Sequence, residues 1–170
     1  MCYLCDLTTA TLKVKKLNPN AILPKKREED SGYDIYGIFD CPITLLAPNE
    51  SIIIPTGISM EFPKGLGFIL CNRGSVGTRG AIVGAHVIDS GYRGEVFIDL
   101  HNISHKHILI TDNKISEIDK TLKHETVTLI PKSSPIAQGL IIPTLHLHVE
   151  ETDILSDSLR KEGALGSTNL

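Results

Sequence analysis

Short apolar runs separated by turn residues dominate this chain. TLKVKKL (11–17) alternates polar and apolar positions with the period of a strand. After it come YDIYGIF, ITLLAP, SIIIPTGISMEF, LGFILCN, GAIVGAHVI, GEVFIDLHN, TVTLIP, PIAQGLIIP and TLHLHVEE. Pro and Gly punctuate nearly every junction, as in Pro48-Asn49, Pro63-Lys64-Gly65 and Gly91. This pattern predicts an all-β sandwich or jelly roll of many short antiparallel strands. Runs apolar on both faces, such as SIIIP, predict strands buried on both sides, in a subunit that completes its core by oligomerising.

Three stretches depart from the pattern. PKKREEDSG (24–32) is charged and is expected to be a mobile loop. Residues 105–126 are polar, with Ile115, Ile118 and Leu122 at helical spacing, and read as a short helix or extended hairpin inserted into the β frame. From Thr152 the chain turns polar and ends in a Gly/Ser/Thr cluster, which is expected to order only on a ligand or a neighbouring subunit. The organisation expected is thus a β domain over 1–151 and a C-terminal arm over 152–170.

Composition narrows the chemistry. The 170 residues suffice for one hydrophobic core. With no Trp and few aromatics, that core has to be built from Ile, Leu and Val. A net charge of −3 gives no general attraction to nucleic acid, so any phosphate binding has to be local. No apolar run approaches a membrane span and the N-terminus lacks a signal pattern, which points to a cytoplasmic or nuclear setting. Cys2, Cys5, Cys41 and Cys71 do not form a disulfide framework. Cys2 and Cys5 make a lone CxxC, read as reduced thiols or as half of a zinc site.

Three clusters carry chemistry. In VIDSGYRGE (87–95), Asp89 precedes a Ser90-Gly91 turn with Tyr92 beyond it. Such a tip can present a carboxylate that activates water beside a ring that stacks on a nucleoside. Equally, the Asp can simply satisfy turn amides. In NRGSVGTRG (72–80), glycines would let the backbone approach a phosphate while Arg73 and Ser75 supply charge and a hydroxyl; a solvated loop is the plain alternative. RKEGALGST (160–168) combines Arg160 with Ser167 and Thr168 in a segment suited to closing over a polyphosphate, or to being an ordinary free terminus. His146 and His148 alternate with Leu145 and Leu147 and share one strand face, either as a metal pair or as a solvated or intersubunit face.

Taken in order, SGYDIYG (31–37), NRGSVG (72–77), VIDSGYRGE (87–95), PIAQGLIIP (135–143) and RKEGALGST (160–168) resemble the five motifs of the trimeric dUTP diphosphatase (dUTPase) family. The segments LKVKKLNPNAILPK and IPTGISMEFPKGLGFIL resemble its connecting strands. The resemblance implies a jelly-roll fold of the β-clip type and a homotrimer with three active sites between subunits, each closed by a C-terminal arm carrying motif five. It implies hydrolysis of dUTP to dUMP and pyrophosphate. Asp89 would activate the water, and Tyr92 would pack on the deoxyribose and exclude a 2′-hydroxyl. Arg73, Ser75, Gln138, Arg160, Ser167 and Thr168 would fall at or beside phosphate-contacting positions, with Gly74 and Gly166 also binding the substrate and Leu165 making an apolar contact with the base. Asp34 would support the site without touching the nucleotide. Mg2+ would be held by the triphosphate and water rather than by a protein cage.

Departures from the family pattern bear on the base. Gly74 stands where a hydroxyl residue is usual, and Leu165 where a Phe caps the uracil. Within the base-reading hairpin (Val83, His86, Ile88), Val83 and His86 replace the usual Asn and Gly, and the stretch resembles the related dCTP deaminases. Asp99 sits where a deaminase has its catalytic Glu, whereas Thr78 and Tyr92 replace the deaminase's Arg and Trp. A dCTP-acting pyrophosphatase or deaminase, or a weakly active nucleotide-binding regulator, therefore stands as the alternative. The insertion at 105–126 reads as decoration or as a docking surface for a protein partner. It resembles insertions in phage members, which points to a viral or phage origin.

Overall fold

The computed structural model describes residues 10–85, 87–114 and 127–158. Among these, twelve strands and one short helix form four small sheets around one core. The central sheet has the order β2 (Tyr33–Ile35), β12 (Ala137–Pro143), β6 (Leu66–Asn72), β8 (Val87–Asp89). A second sheet orders β4 (Ser51–Pro55), β9 (Phe97–Asn102), β7 (Ala81–Val83). A third orders β11 (Val127–Ile130), β10 (His107–Thr111), β3 (Ile43–Leu46). The last is the pair β1 (Lys13–Lys16) with β5 (Ile58–Glu61). Helix α1 (Gly74–Gly77) is a single turn after β6. The all-β jelly-roll expectation holds, and no helix among the described residues is long and apolar enough to cross a membrane.

The core is made of the predicted residue types. Ile35, Ile54, Ile58, Phe68, Leu70, Ile98, Leu100, Ile108, Ile110, Ile130 and Ile136 are all fully buried, and most are β-branched, as strand interiors favour. Strand β9 shows the alternation plainly: Ile98, Leu100 and Asn102 point inward, while Phe97, Asp99 and His101 point outward. Buried Asn102 is satisfied on both ends of its amide. Its Nδ2 donates to the Leu46 and Lys106 carbonyls, and its Oδ1 accepts from the Ser104 N–H and hydroxyl.

Two expectations change. The insertion expected from 105 begins later, because His107–Thr111 is β10, paired antiparallel to β3 and parallel to β11. Its Ile108-Leu109-Ile110 run is buried, so burial decides against the polar look of its flanks. Parallel neighbours need a crossover of about a dozen residues or more, and the sequence leaves 112–126 between the two strands. Ser133 donates from N–H and Oγ to Asp112 Oδ1 at 2.8 Å, which ties the crossover's start to the segment after β11. The helical spacing of Ile115, Ile118 and Leu122 lies outside the described residues, as do Cys2 and Cys5. The loop at 24–32 is pinned rather than free. Lys25 forms a bridge with Asp34, and Arg27 closes on Asp30 through backbone and guanidinium.

Strands β6 and β12 pair along their whole length, from Leu66↔Pro143 to Asn72↔Ala137. The Phe68 ring lies over Gly139, where a Cβ would overlap it, and it also packs near Tyr33 and Phe62 at 6.5 and 6.3 Å between centroids. Replacing Gly139 by Ala is expected to destabilise the protein by about 1–3 kcal/mol through overpacking. Urea unfolding checks this, and an unchanged midpoint would mean that the ring is free to move.

Candidate functional site

The polar side chains of the second and fourth sequence motifs meet those of the first at one end of β6. Gln138 on β12 sits opposite Asp34 of β2 on one side and Cys71 of β6 on the other. The chain then leaves β6 through Asn72 into Arg73, the N-cap of α1. Arg73 Nε donates to Asp34 Oδ1 at 2.9 Å, and its Nη1 donates to Ser75 Oγ at 2.8 Å. Gln138 Nε2 donates to the Asn72 carbonyl at 2.9 Å. The Arg73–Asp34 pair is about one-third exposed on both partners, so it is worth no more than about 1 kcal/mol to stability. Its effect is directional: one edge of the guanidinium is anchored, and the group is aimed along the cleft.

That cleft is open, about 1040 Å³, and runs between the pinned loop and α1. It is lined by Lys25, Lys26, Arg27 and Arg73 against the two carboxylates of Asp30 and Asp34. A chain of net negative charge thus carries a local excess of positive charge. The Arg27 side-chain hydrogen bond, followed by its backbone N–H, holds Asp30 below the usual carboxylate range, while Asp30 raises Arg27 in turn. Lys25, Lys26 and Arg27 read in the sequence only as part of a charged loop and not as lining a site, because Glu28, Glu29 and Asp30 follow them directly and mask the basic run. Gly74 faces open space, with nothing within 4 Å of a Cβ built there.

At the other end of β6, β8 pairs through Gly67↔Asp89 and Ile69↔Val87. The following turn closes by Tyr92 N–H donating to the Asp89 carbonyl at 3.0 Å. The exposed Asp89 carboxylate itself has no partner among the described residues, so the turn closes without it. Tyr92 Oη donates to the Glu95 carbonyl at 3.0 Å, and its ring lies where a Cβ of Gly94 would be. Asp89, Tyr92, Val87, Ala85, Leu70 and Phe97 line a second cavity of about 220 Å³. Of the expected base-reading residues, Val83 is buried and its N–H is taken by Asn72 Oδ1 at 2.6 Å, and Ile88 packs against the core. Ile88 also borders the cavity with Asp89 and Tyr92, whereas Val83 is not among the residues that line it. His86 lies outside the described residues, and so do Arg160, Leu165, Gly166, Ser167 and Thr168.

Asp89 and Arg73 are far apart within one chain. Asp89 is level with Gly67, and Arg73 follows Asn72, so the length of β6 puts roughly 20 Å between them. His146 and His148 lie in an exposed stretch without strand pairing. Among the described residues no group of three or more His, Cys, Asp or Glu is arranged to hold a metal. Cys41 and Cys71 are free thiols.

The strand order, with polar groups at both ends of a central strand, puts the chain in the class of small jelly-roll proteins with clefts at a sheet end. The dUTPase family model matches residues 18–116. Deoxyuridine 5'-triphosphate nucleotidohydrolase of Gloeothece citriformis is 34% identical over 163 residues, covering 94% of this chain and 97% of that protein. The dUTPase of Staphylococcus bacteriophage 80alpha with dUPNHPP superposes with a TM-score of 0.73 at 26% identity, covering 94% of this chain and 99% of that one. A dUTPase of phage phi11 of S. aureus, in a form that coordinates a structural Mg(II) ion, gives a TM-score of 0.66 at 25% identity, over 86% and 99% of the two chains. The chain belongs to the dUTPase family.

The open space at Gly74 leads to a simple expectation. Gly74→Ser should fold with stability within about 0.5 kcal/mol of the parent, as for an unstrained surface position. A thermal melt checks this, and a loss of several degrees would show that the first turn of α1 needs the glycine.

Proposed function

We propose that this chain is a dUTP diphosphatase that hydrolyses dUTP to dUMP and pyrophosphate through water activated by Asp89. The observation that carries the mechanism is the exposed Asp89 carboxylate, which has no partner among the described residues and stands beside the Tyr92 ring. The carboxylate takes a proton from water as the water oxygen bonds to the α-phosphorus, and the bond from that phosphorus to the bridging oxygen breaks to release pyrophosphate. Tyr92 packs on the deoxyribose, leaving no space for a 2′-hydroxyl. Arg73, Ser75 and Gln138, with the backbone at Gly74, hold the phosphate chain, and Asp34 fixes the direction of Arg73. Residues Arg160, Leu165, Gly166, Ser167 and Thr168 of the arm close over the nucleotide.

Magnesium would come with the substrate in this scheme, held by triphosphate oxygens and water. There it would supply charge neutralisation to the phosphates.

The separation between Asp89 and Arg73 supports a site shared between copies in a homotrimer. The Asp89 hairpin of one protomer faces the Arg73 cluster of the next, and the arm reaches the same site. Large apolar groups are available for burial in such contacts: Ile53 (58% exposed), Val87 (72%), Leu145 (86%) and Val149 (90%).

Purified protein with magnesium should release pyrophosphate from dUTP, and Asp89→Asn should lower turnover by about 10² to 10⁴-fold while leaving nucleotide binding nearly intact. Full turnover in that variant would remove Asp89 from the role. Refolding Asp89→Asn together with Arg73→Ala should restore activity that neither has alone. No recovery in the mixture would place both residues in one chain's site.

A further inference from the structure

The hairpin that carries Asp89 is anchored on both sides of its turn. On the entering side, Asp89 is level with Gly67 in the ladder between β8 and β6. On the leaving side, residues 93–96 dock against β5 and the residue before it. Ser59 Oγ donates to the Arg93 carbonyl at 2.8 Å, and the Val96 N–H donates to the Ile58 carbonyl at 2.9 Å. The Gly57 N–H donates to Glu95 Oε1 at 2.7 Å. Between these anchors lies the turn from Asp89 to Tyr92, closed by the Tyr92 N–H on the Asp89 carbonyl.

Fixed ends leave the peptide at the tip with two possible orientations. Neither Ser90 nor Gly91 has a positive φ, so with its closing hydrogen bond the turn is of type I. A type II turn keeps the same ends and differs by a flip of the Ser90–Gly91 peptide, which requires a positive φ at Gly91. Glycine adopts that φ without steric cost. A Cβ built on Gly91 meets nothing within 4 Å, so crowding does not explain the glycine. The contact that selects the observed form comes from Arg93. Its Nη1 donates to the Ser90 carbonyl at 2.7 Å and to the Tyr92 carbonyl at 2.9 Å. A flip would turn the Ser90 carbonyl away and break the first of these bonds. The guanidinium is also held from outside the hairpin. Its Nε lies 3.7 Å from Glu61 Oε2, and Glu61 Oε1 accepts from Lys13 Nζ at 2.6 Å. These ion pairs are about half exposed, so they aim the arginine and add little to folding.

The orientation of that peptide bears on the carboxylate that opens the turn. Asp is favoured at the first position of a type I turn, where the N–H two residues on is turned toward its side chain. A flip to type II would bring the Ser90 carbonyl to that side in place of the Gly91 N–H. An acceptor would then stand beside an ionised carboxylate, which itself only accepts. We propose that Arg93 is a positioning residue for Asp89, holding the Ser90–Gly91 peptide so that its N–H rather than its carbonyl is turned to the carboxylate side. The inference rests on the diphosphatase reading above. Arg93 acts through the turn alone, and the proton taken from water still goes to Asp89. With the donor side of the peptide turned to it, the carboxylate keeps its charge and its aim.

The test is a double-mutant cycle on the full chain, with magnesium and dUTP and pyrophosphate release as the readout. Arg93→Met keeps the apolar stem and removes the donors. It should lower kcat by about tenfold, with KM within about twofold of the parent. Gly91→Ala strongly disfavours the positive φ that the flip requires, and it crowds no neighbour. In the Gly91→Ala background, Arg93→Met should therefore lower kcat by no more than about threefold. A loss of charge or of general stability would not be recovered in this way. Melting temperatures keep folding out of the comparison, and Arg93→Ala carries the same cycle where Arg93→Met melts early. An unchanged kcat in Arg93→Met, or an equal loss in both backgrounds, would overturn this proposal and leave hydrolysis through Asp89 standing. No turnover by the parent chain would overturn both readings.

Discussion

The register between β6 and β12 is the constraint on which the rest depends. Side chains alternate across a strand, so a slip of one residue would turn Gln138 away from Asp34 and put the Phe68 ring on the wrong face. Gly139 under that ring makes the register specific, because a residue with a Cβ cannot occupy the place. With β6 held, its two ends become fixed points: one delivers Arg73 to the cleft, and the other sets Asp89 level with Gly67.

The energetics of the two ends differ. The core is mainly aliphatic, and its burial supplies the stability. The polar cluster at Arg73 adds little to that sum and is built for direction, since its ion pair is partly solvated and Ser75 holds a second guanidinium nitrogen. The positive charge around it is local, drawn from a loop whose own Arg27–Asp30 contact keeps it in shape. Overall charge would never have located this cleft, because the chain as a whole is negative.

Most of the strands were legible in the sequence, since alternation and turn residues act locally. Family membership was legible in five ordered motifs. Strand β10 was obscured because its Ile-Leu-Ile run is brief and its flanks are polar, and only pairing with β3 and β11 explains its burial. The loop at 24–32 looked mobile because composition does not reveal a bridge to Asp34. Val83 was expected to face the base but is buried, because which side of a hairpin faces inward depends on the sheets packed behind it, whereas Ile88 borders the cavity beside Asp89. The Asp99–His101 contact with Gly84 joins residues far apart in the chain, which no local pattern reveals.

Asn72 touches neither of the cavities through its own side chain, yet it bonds in both directions. Its Oδ1 holds the Val83 N–H at the root of the hairpin, and its carbonyl holds Gln138 beside Arg73. One asparagine therefore ties the root of the hairpin to the strand end that carries the arginine cluster, so the two features share a single anchor.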